Sequence, residues 1–419
     1  MKIIIHILIL LFLLQFNGCS ILPEKIYKSK TRTSTNEQSI EFSAQQQCYF
    51  DYLNNHPINN ANSYKKLNNI CKTQVFYPSI DDQQLMIVLE MNEQGRFVDK
   101  SHIQTTLKHI NRLKEKNNVI VSLFVHGWNH GSRIDDSDLH NFQYTLNDLY
   151  NQKNLQGKPV KNIGIYIGWR GRTLPKSLNY ATFWSRKNIS VNIGKGDLGA
   201  FILDLERVVK HEESNHQGSL ILSGHSFGAS ALYHALGPIL ISRFQDSITQ
   251  QQTLRGVGDL IVLINPAIEA KQFLPLRETI WRHASKEASN APHIFKDNLY
   301  PFFVVLGSNG DFAVNNLFPA GRWLNTANDK YDRTSIINGN AQACTTKSCH
   351  TQKVKYCKVG EDCLIPENLL DRHAIGNFPW FHTHWLTSDQ PKPSLIESSI
   401  QNTSKILQKS LSVKNTNEA

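Results

Sequence analysis

The chain has 419 residues, of which 40% are hydrophobic and 19% are charged, and its formal net charge is +10 at neutral pH. This composition excludes an intrinsically disordered chain and is typical of a globular protein with one large domain or two smaller ones. The basic residues are scattered and form no block, which argues against a nucleic-acid-binding protein. The positive charge is compatible with anionic lipid or glycan surfaces.

The N-terminus has the organisation of an export signal. A basic residue precedes an apolar run over residues 3–14, which is too short to span a membrane, and Gly18 and Cys19 follow. A small residue before a cysteine resembles the cleavage site of bacterial lipoproteins. We therefore expect a signal peptide over residues 1–18 and acylation of Cys19, with the acyl chains holding the protein on the membrane. Ser20 favours an outer-membrane lipoprotein, facing the periplasm or the cell surface; an ordinary signal peptide is the alternative.

The cysteine count agrees with export to an oxidising compartment. Apart from Cys19 there are six cysteines: Cys48, Cys71, Cys344, Cys349, Cys357 and Cys363. An even number in an exported protein predicts disulfides, and we expect pairing within the first two and within the last four. A zinc site that uses His350 is the competing interpretation, but the last group lacks two C-x-x-C pairs.

Composition divides the mature chain into three parts. Residues 19–75 are predicted to form a polar tether and an N-terminal segment that is stapled by a disulfide. Residues 76–390 are predicted to form the main domain, with a Cys-rich insertion at 344–363. Residues 391–419 are polar and are predicted to form a peripheral tail.

Strand and helix patterns alternate along the main domain. Strands are predicted at QLMIVLEM (84–91), NVIVSLFVH (118–126), NIGIYIGW (162–169), SLILSG (219–224), DLIVLINP (259–266) and PFFVVLGS (301–308), and helices at 100–116, 135–152, 196–213 and 227–244. Continuous apolar strands that alternate with helices predict an α/β fold. We expect an open, mostly parallel sheet with helices on both faces.

A G-x-S-x-G motif, Gly224, Ser226 and Gly228, lies between the predicted strand at 219–224 and a helix that starts near Phe227. This strand–turn–helix setting is what a nucleophile elbow requires. The glycines keep side-chain bulk away from a strained turn, and the serine hydroxyl then projects above the sheet at a helix N-terminus. Ser226 is therefore the candidate nucleophile.

With the segment FVHGWNHGS (124–132), this motif makes the chain similar to the α/β-hydrolase superfamily, and within it to bacterial serine esterases and lipases. The resemblance covers roughly residues 80–390. It implies an α/β-hydrolase fold that cleaves carboxylester or lipid acyl bonds through a Ser-His-Asp triad and an acyl-enzyme, with no cofactor or metal. It also implies an oxyanion hole made by the backbone N–H groups of Phe227 and Trp128.

The superfamily's chain order places the acid and then the base after the nucleophile. Asp311, in the turn that follows a predicted strand, is the candidate acid, and Glu269 is the runner-up. An aspartate that only caps the next segment is the alternative interpretation of Asp311. His384 is the candidate base, with His382 and His373 as alternatives.

Other residues near these motifs have two interpretations. His126 is expected to order its loop by hydrogen bonding, and a metal site that combines it with His130 is disfavoured because the two lie in a glycine-containing turn. The segments IGWRG (167–171) and FWSRK (183–187) each place an aromatic residue beside a cation. They are either walls of the acyl or leaving-group pocket or solvated loops with buried tryptophans.

Two further functional classes are compatible with the same residues. An acyltransferase, an amidase or a peptidase would use the same triad, and a non-catalytic envelope-binding protein would retain the fold alone. The coexistence of serine, acid and histidine in the expected order argues against the second class. The substrate itself is not encoded in these motifs, because specificity in such folds depends on insertions and loops.

Overall fold

The computed structural model describes residues 75–76 and 84–381. Within the second range it leaves out residues 99, 133–135, 155–159, 173–181, 212–215, 288–300, 309, 312, 327–328 and 338–360. The predicted signal peptide, acylated Cys19, N-terminal staple and C-terminal tail lie outside the described residues. No helix within the described ranges combines the length and the apolar character needed to cross a membrane.

A seven-stranded sheet forms the centre of the described part of the chain. Its strands are β1 (Val75–Phe76), β2 (Gln84–Glu90), β3 (Asn118–Val125), β4 (Val160–Gly168), β5 (Gly218–His225), β6 (Leu260–Ile264) and β7 (Phe303–Leu306). Their spatial order is β1-β2-β4-β3-β5-β6-β7. The six strands from β2 to β7 are parallel, and β1 is antiparallel to β2. The predicted α/β class with a mostly parallel sheet is confirmed.

Helices follow most strands of the sheet. They are α1 (Lys100–Lys116), α2 (Ser137–Asn154), α3 (Phe183–Ile193), α4 (Gly199–Lys210), α5 (Phe227–Thr249), α6 (Ala270–Glu287), α7 (Phe318–Asn325) and α8 (Glu367–Arg372). Single π-helical turns lie at Gly194–Leu198 and Ala313–Leu317, and 3-10 turns at Ile375–Asn377 and Pro379–Phe381. A separate antiparallel hairpin pairs β8 (Arg333–Ile337) with β9 (Asp362–Pro366). Cys363, the only cysteine among the described residues, is buried in β9, so the predicted disulfides stay predictions.

The core occupies both faces of the sheet because side chains alternate along each strand. Val121 and Leu123 of β3 belong to a large cluster that includes residues of α1, α3, α4 and α5. Ile120, which directly precedes Val121 and therefore faces the other side of the sheet, packs with Leu149 of α2 on the opposite face. Helices therefore cover both faces, as predicted.

The connections after β3 and β5 leave the sheet on opposite faces. β3 leads to α2, whereas its neighbour β5 leads to α5 on the other face. Such a reversal opens a crevice at the carboxyl ends of the two strands, where open α/β sheets bind ligands. The register places Val125 beside Gly224 and His225 beside Ile264, so the loops after β3, β5 and β6 meet at this point.

Helix α3 is not predicted from the sequence, and its composition explains why. Its buried residues are Phe183, Arg186, Lys187, Ser190 and Ile193, so three of the five side chains that face the interior are polar. A helix whose buried face carries charges shows no apolar periodicity. The helix predicted at 196–213 corresponds to α4, which starts at Gly199 because the π-helical turn over Gly194–Leu198 precedes it.

Candidate active site

Ser226 forms a strained turn between β5 and α5. Its backbone has φ +54° and ψ −114°, a conformation that L-residues rarely adopt and that costs about 1–3 kcal/mol. The Ser226 N–H donates to the Ile264 carbonyl at 2.9 Å, and the Ser226 carbonyl accepts from the N–H groups of Ser230 at 3.1 Å and Ala267 at 3.3 Å. Contacts from the next strand and from its own helix thus hold the turn in place.

Both glycines of the motif are required by packing. A Cβ on Gly224 would lie 2.8 Å from the backbone of Ala229, in the first turn of α5. A Cβ on Gly228 would collide with the carbonyl oxygens of Val125 and His126, at the end of β3. A side chain at either position would push α5 away from the sheet, so this turn requires glycine at both positions.

The loop after β3 lies directly against the turn. A Cβ on Gly127 would be 3.0 Å from the carbonyl oxygen of His225 and 3.2 Å from the Cβ of Ser226. Trp128 follows in the chain and is buried, while Phe227 opens α5, where the first N–H groups have no intrahelical acceptor. Trp128 and Phe227, the two predicted oxyanion-hole residues, each directly follow one side of the contact between Gly127 and Ser226.

His126 is a structural histidine of that loop. The backbone N–H of Trp169 donates to its Nε2 at 3.0 Å, so Nδ1 carries the proton and donates to the Gly127 carbonyl at 2.9 Å. Complete burial lowers the pKa of His126 to about 4, which keeps the ring neutral. Both ring nitrogens are thus engaged, as expected for a residue that orders its loop.

A row of carboxylates and imidazoles, not foreseen from the sequence, flanks the same loop. His130 Nδ1 lies 2.9 Å from Asp136 Oδ1, and His130 Nε2 lies 3.4 Å from Asp138 Oδ1. The other Asp138 oxygen is 3.8 Å from His225 Nδ1, beside the nucleophile. Burial alone would raise the pKa of Asp138, but His225 and His130 outweigh it and lower that pKa to about 2. The only sequence signal was the acidic start of α2. No group of described residues is arranged to hold a metal ion.

Asp311, the candidate acid, follows β7 and caps the π-helical turn after it. Its Oδ1 accepts the N–H of Val314 at 3.0 Å, and its carbonyl accepts the N–H of Asn315 at 3.0 Å. Its Oδ2 makes no hydrogen bond to the described part of the chain. The capping role is thus present, and one carboxylate oxygen remains for a second partner.

Glu269, the runner-up acid, is committed to buried ion pairs. Its Oε1 lies 2.6 Å from Lys187 Nζ and 3.3 Å from Arg322 Nε, and its Oε2 accepts from Gln272 Nε2 at 2.7 Å. Burial lowers the pKa of Lys187, and the attraction of Glu269 offsets part of this effect. Both carboxylate oxygens are occupied, so the geometry favours Asp311 over Glu269 as a partner for an imidazole.

The candidate bases His382 and His384 lie outside the described residues, whereas His373 is described. Its Nδ1 is 2.9 Å from the Leu369 carbonyl, and burial lowers its pKa. Within the described ranges, no imidazole is hydrogen-bonded to the Ser226 hydroxyl. The identity of the base stays a prediction.

The segment after His373 is fastened to the loop that carries Asp311. Asn377 Nδ2 donates to Asn315 Oδ1 at 2.7 Å. Gly376 packs so closely on Gly307, at the end of β7, that a Cβ on Gly307 would collide with the Gly376 carbonyl. The chain therefore crosses the carboxyl end of β7 a few residues before the two candidate histidines.

The two aromatic–cation segments also meet at this edge of the sheet. Arg170 of the first and Arg186 of the second share the carboxylate of Glu93, at 3.5 and 2.6 Å. Trp169 is buried against His126 with nearly parallel rings. Their cations are thus ion-paired and packed at the carboxyl edge, which disfavours the solvated-loop interpretation.

Comparison of the chain with models of known protein families, with curated proteins and with solved structures found no match.

Proposed function

We propose that the chain is an α/β-hydrolase of the serine esterase or lipase type, which cleaves carboxylester or lipid acyl bonds. The observation that carries the proposal is the backbone of Ser226, with φ +54° between a parallel strand and a helix. Strained residues of this kind persist where their geometry serves a function. A serine in this conformation, at the crevice between β3 and β5, has the setting of an activated nucleophile.

In the proposed reaction, Ser226 Oγ attacks the carbonyl carbon of the ester. His384 takes the hydroxyl proton and later delivers it to the leaving alcohol, and Asp311 orients the imidazole and stabilises the imidazolium. The backbone N–H groups of Phe227 and Trp128 stabilise the oxyanion. His384 then takes a proton from water, which attacks the acyl-enzyme, and the same proton returns to Ser226 Oγ as the carboxylic acid leaves.

Three observations support the catalytic roles proposed for Asp311 and His384. The second oxygen of Asp311 is not hydrogen-bonded within the described residues, whereas both oxygens of Glu269 are paired. The bond between Asn377 and Asn315 joins the segment before the candidate base to the loop of the candidate acid. His126 is held neutral with both nitrogens occupied, so it is a poor competitor for the role of base.

The rival classes are separated by their products. An acyltransferase forms the same acyl-enzyme but passes the acyl group to an added lipid or glycan acceptor, while an amidase or a peptidase cleaves amide bonds. A non-catalytic envelope-binding protein has no use for the strain at Ser226. We further propose that acylated Cys19 holds the protein on the outer membrane; mass spectrometry of the N-terminal peptide of the mature protein tests the acylation.

Fluorophosphonate labelling tests the proposed nucleophile. The wild-type protein is expected to bind one equivalent of probe and to hydrolyse esters in a chain-length series, while Ser226→Ala loses both properties and remains folded. Ser223→Ala is the matched control, because Ser223 lies on the same strand and its hydroxyl donates to the Leu123 carbonyl, away from the proposed chemistry. A folded wild-type protein that takes no label, or a labelled Ser226→Ala variant, would overturn the proposal.

A further inference from the structure

The first turn of α3 contacts the residues that follow five adjacent strands of the sheet. These residues are Glu93 after β2, Arg170 after β4, Trp128 after β3, Phe227 after β5 and Glu269 after β6. The turn therefore lies at the carboxyl edge, beside the crevice that holds Ser226.

Phe183, the first residue of α3, joins the two sides of this crevice. Its ring centroid is 5.0 Å from that of Trp128, edge to face at 89°, and 4.8 Å from that of Phe227. All three side chains are buried. Trp128 and Phe227 belong to different loops, and within the described residues Phe183 is the aromatic side chain that stacks on both.

Two charged neighbours fasten Phe183 in place. Arg186 Nη1 lies 2.6 Å from Glu93 Oε1 and donates to the Arg170 carbonyl at 3.1 Å. Lys187 Nζ lies 2.6 Å from Glu269 Oε1. Consecutive residues of a helix point about 100° apart, so these bonds anchor the turn in two directions. Buried ion pairs of this kind resist displacement, because a lone charge left behind is costly.

From this arrangement we infer that Phe183 is a positioning residue for the oxyanion hole, an inference that rests on the proposed function. The donors are backbone N–H groups, so their separation depends on where the loops of Trp128 and Phe227 are packed. The ring of Phe183 fixes that packing from one side, and Gly127 against Ser226 fixes it from the other. An oxyanion develops only in the transition state, so loss of this alignment lowers kcat more than it changes KM.

Phe183→Leu tests the inference, with Phe201→Leu as its matched control. Phe201 is equally buried on α4 and packs edge to face on Phe97 at 5.3 Å. We expect Phe183→Leu to lower kcat about 10-fold to 100-fold, less than complete loss of one oxyanion donor, and to leave KM within about 3-fold. The rate of fluorophosphonate labelling falls in parallel, while Phe201→Leu changes neither rate by more than about 3-fold. Phe183→Met, whose unbranched and flexible side chain adapts to the space of the ring, carries the same prediction if the leucine variant does not fold.

The outcomes are distinguishable. Equal losses of kcat in Phe183→Leu and Phe201→Leu overturn the inference in favour of general packing, and a rise in KM alone makes Phe183 a wall of the substrate pocket instead. Wild-type protein without labelling at Ser226 overturns the proposed function itself, and with it the inference.

Discussion

The elbow at Ser226 and the loop at Asp311 lie at the same edge of the sheet but are held by different forces. At the elbow, backbone meets backbone: Gly228 abuts the end of β3, and the Ser226 amide bonds to β6. At the Asp311 loop, side-chain bonds add to the close approach of Gly307 and Gly376, through the Asp311 cap and the bond between Asn315 and Asn377. Steric constraints leave a short motif in the sequence, whereas side-chain bonds are satisfied by many residue types.

Among the substitutions that test this comparison, replacement of the candidate base is expected to lower kcat the most. His384→Ala is predicted to lower kcat about 10⁴-fold to 10⁶-fold, because a serine without a base is a poor nucleophile at neutral pH. Steady-state ester hydrolysis measures the loss. Members of a triad act as a unit, so the double variant Ser226→Ala/His384→Ala is expected to be scarcely worse than either single variant.

His382→Ala is the control for this experiment, since it removes an imidazole two residues away. We expect only a modest loss from it. A large loss in His382→Ala with an active His384→Ala variant would transfer the role of base and leave Ser226 as the nucleophile.

Asp311 offers a sharper test, because its cap and its proposed catalytic charge are separable. Asparagine caps a helical turn about as well as aspartate, so Asp311→Asn keeps the hydrogen bond to Val314 and removes the charge. We expect kcat to fall about 10³-fold to 10⁴-fold, with little change in the free energy of unfolding. Asp311→Ala adds the loss of the cap, about 1 kcal/mol. Full activity in Asp311→Asn would leave Asp311 as a cap alone.

Much of the fold is predictable from the sequence, and the reason is local. The six parallel strands are continuous apolar runs, and α1 occupies the predicted range because its pattern is amphipathic. The elbow is predictable because glycine is the only residue type that fits at positions 224 and 228. The same reasoning covers the loop at Gly127.

The parts of the site that the sequence does not predict depend on contacts between segments that lie far apart in the chain. Glu269 is a reasonable acid by position, and only the approach of Lys187 and Arg322 from two other helices shows that its oxygens are occupied. The sequence singles out Phe183 only as part of the segment at 183–187, and its position between Trp128 and Phe227 is not predicted, because these partners follow two separate strands. Such roles are not readable from spacing.

The buried pair of Lys187 and Glu269 is predicted to contribute to the stability of the fold more than to catalysis. Glu269→Gln leaves Lys187 without its partner and is expected to lower the free energy of unfolding by about 3–5 kcal/mol. Lys187→Met is milder, because Arg322 still faces the carboxylate. Urea unfolding measures both, and the double variant Lys187→Met/Glu269→Gln is expected to be more stable than Glu269→Gln. Near-complete loss of kcat in a stably folded double variant would instead restore Glu269 as the acid.

The last and smallest predicted effect is a change in the free energy of unfolding with pH, which His126 causes. Burial lowers its pKa to about 4 in the folded state, against 6.5 in the unfolded chain. Between these values the unfolded state binds a proton that the folded state does not, so the free energy of unfolding falls as the pH drops below 6.5. The buried His234 and His373 have lowered pKa values and act in the same direction, whereas the raised pKa of His130 acts in the opposite one.

His126→Asn isolates this contribution from those of the other histidines. Between pH 7.5 and pH 5 the His126 term is expected to cost the wild-type protein about 2 kcal/mol, a loss that the variant does not share. Urea unfolding of both proteins at the two pH values measures the difference. The variant is less stable at pH 7.5, because it loses the bonds to Trp169 and Gly127 that fix the loop beside Ser226. Parallel pH curves for the two proteins would show that His126 is not the buried, neutral imidazole on which this loop depends.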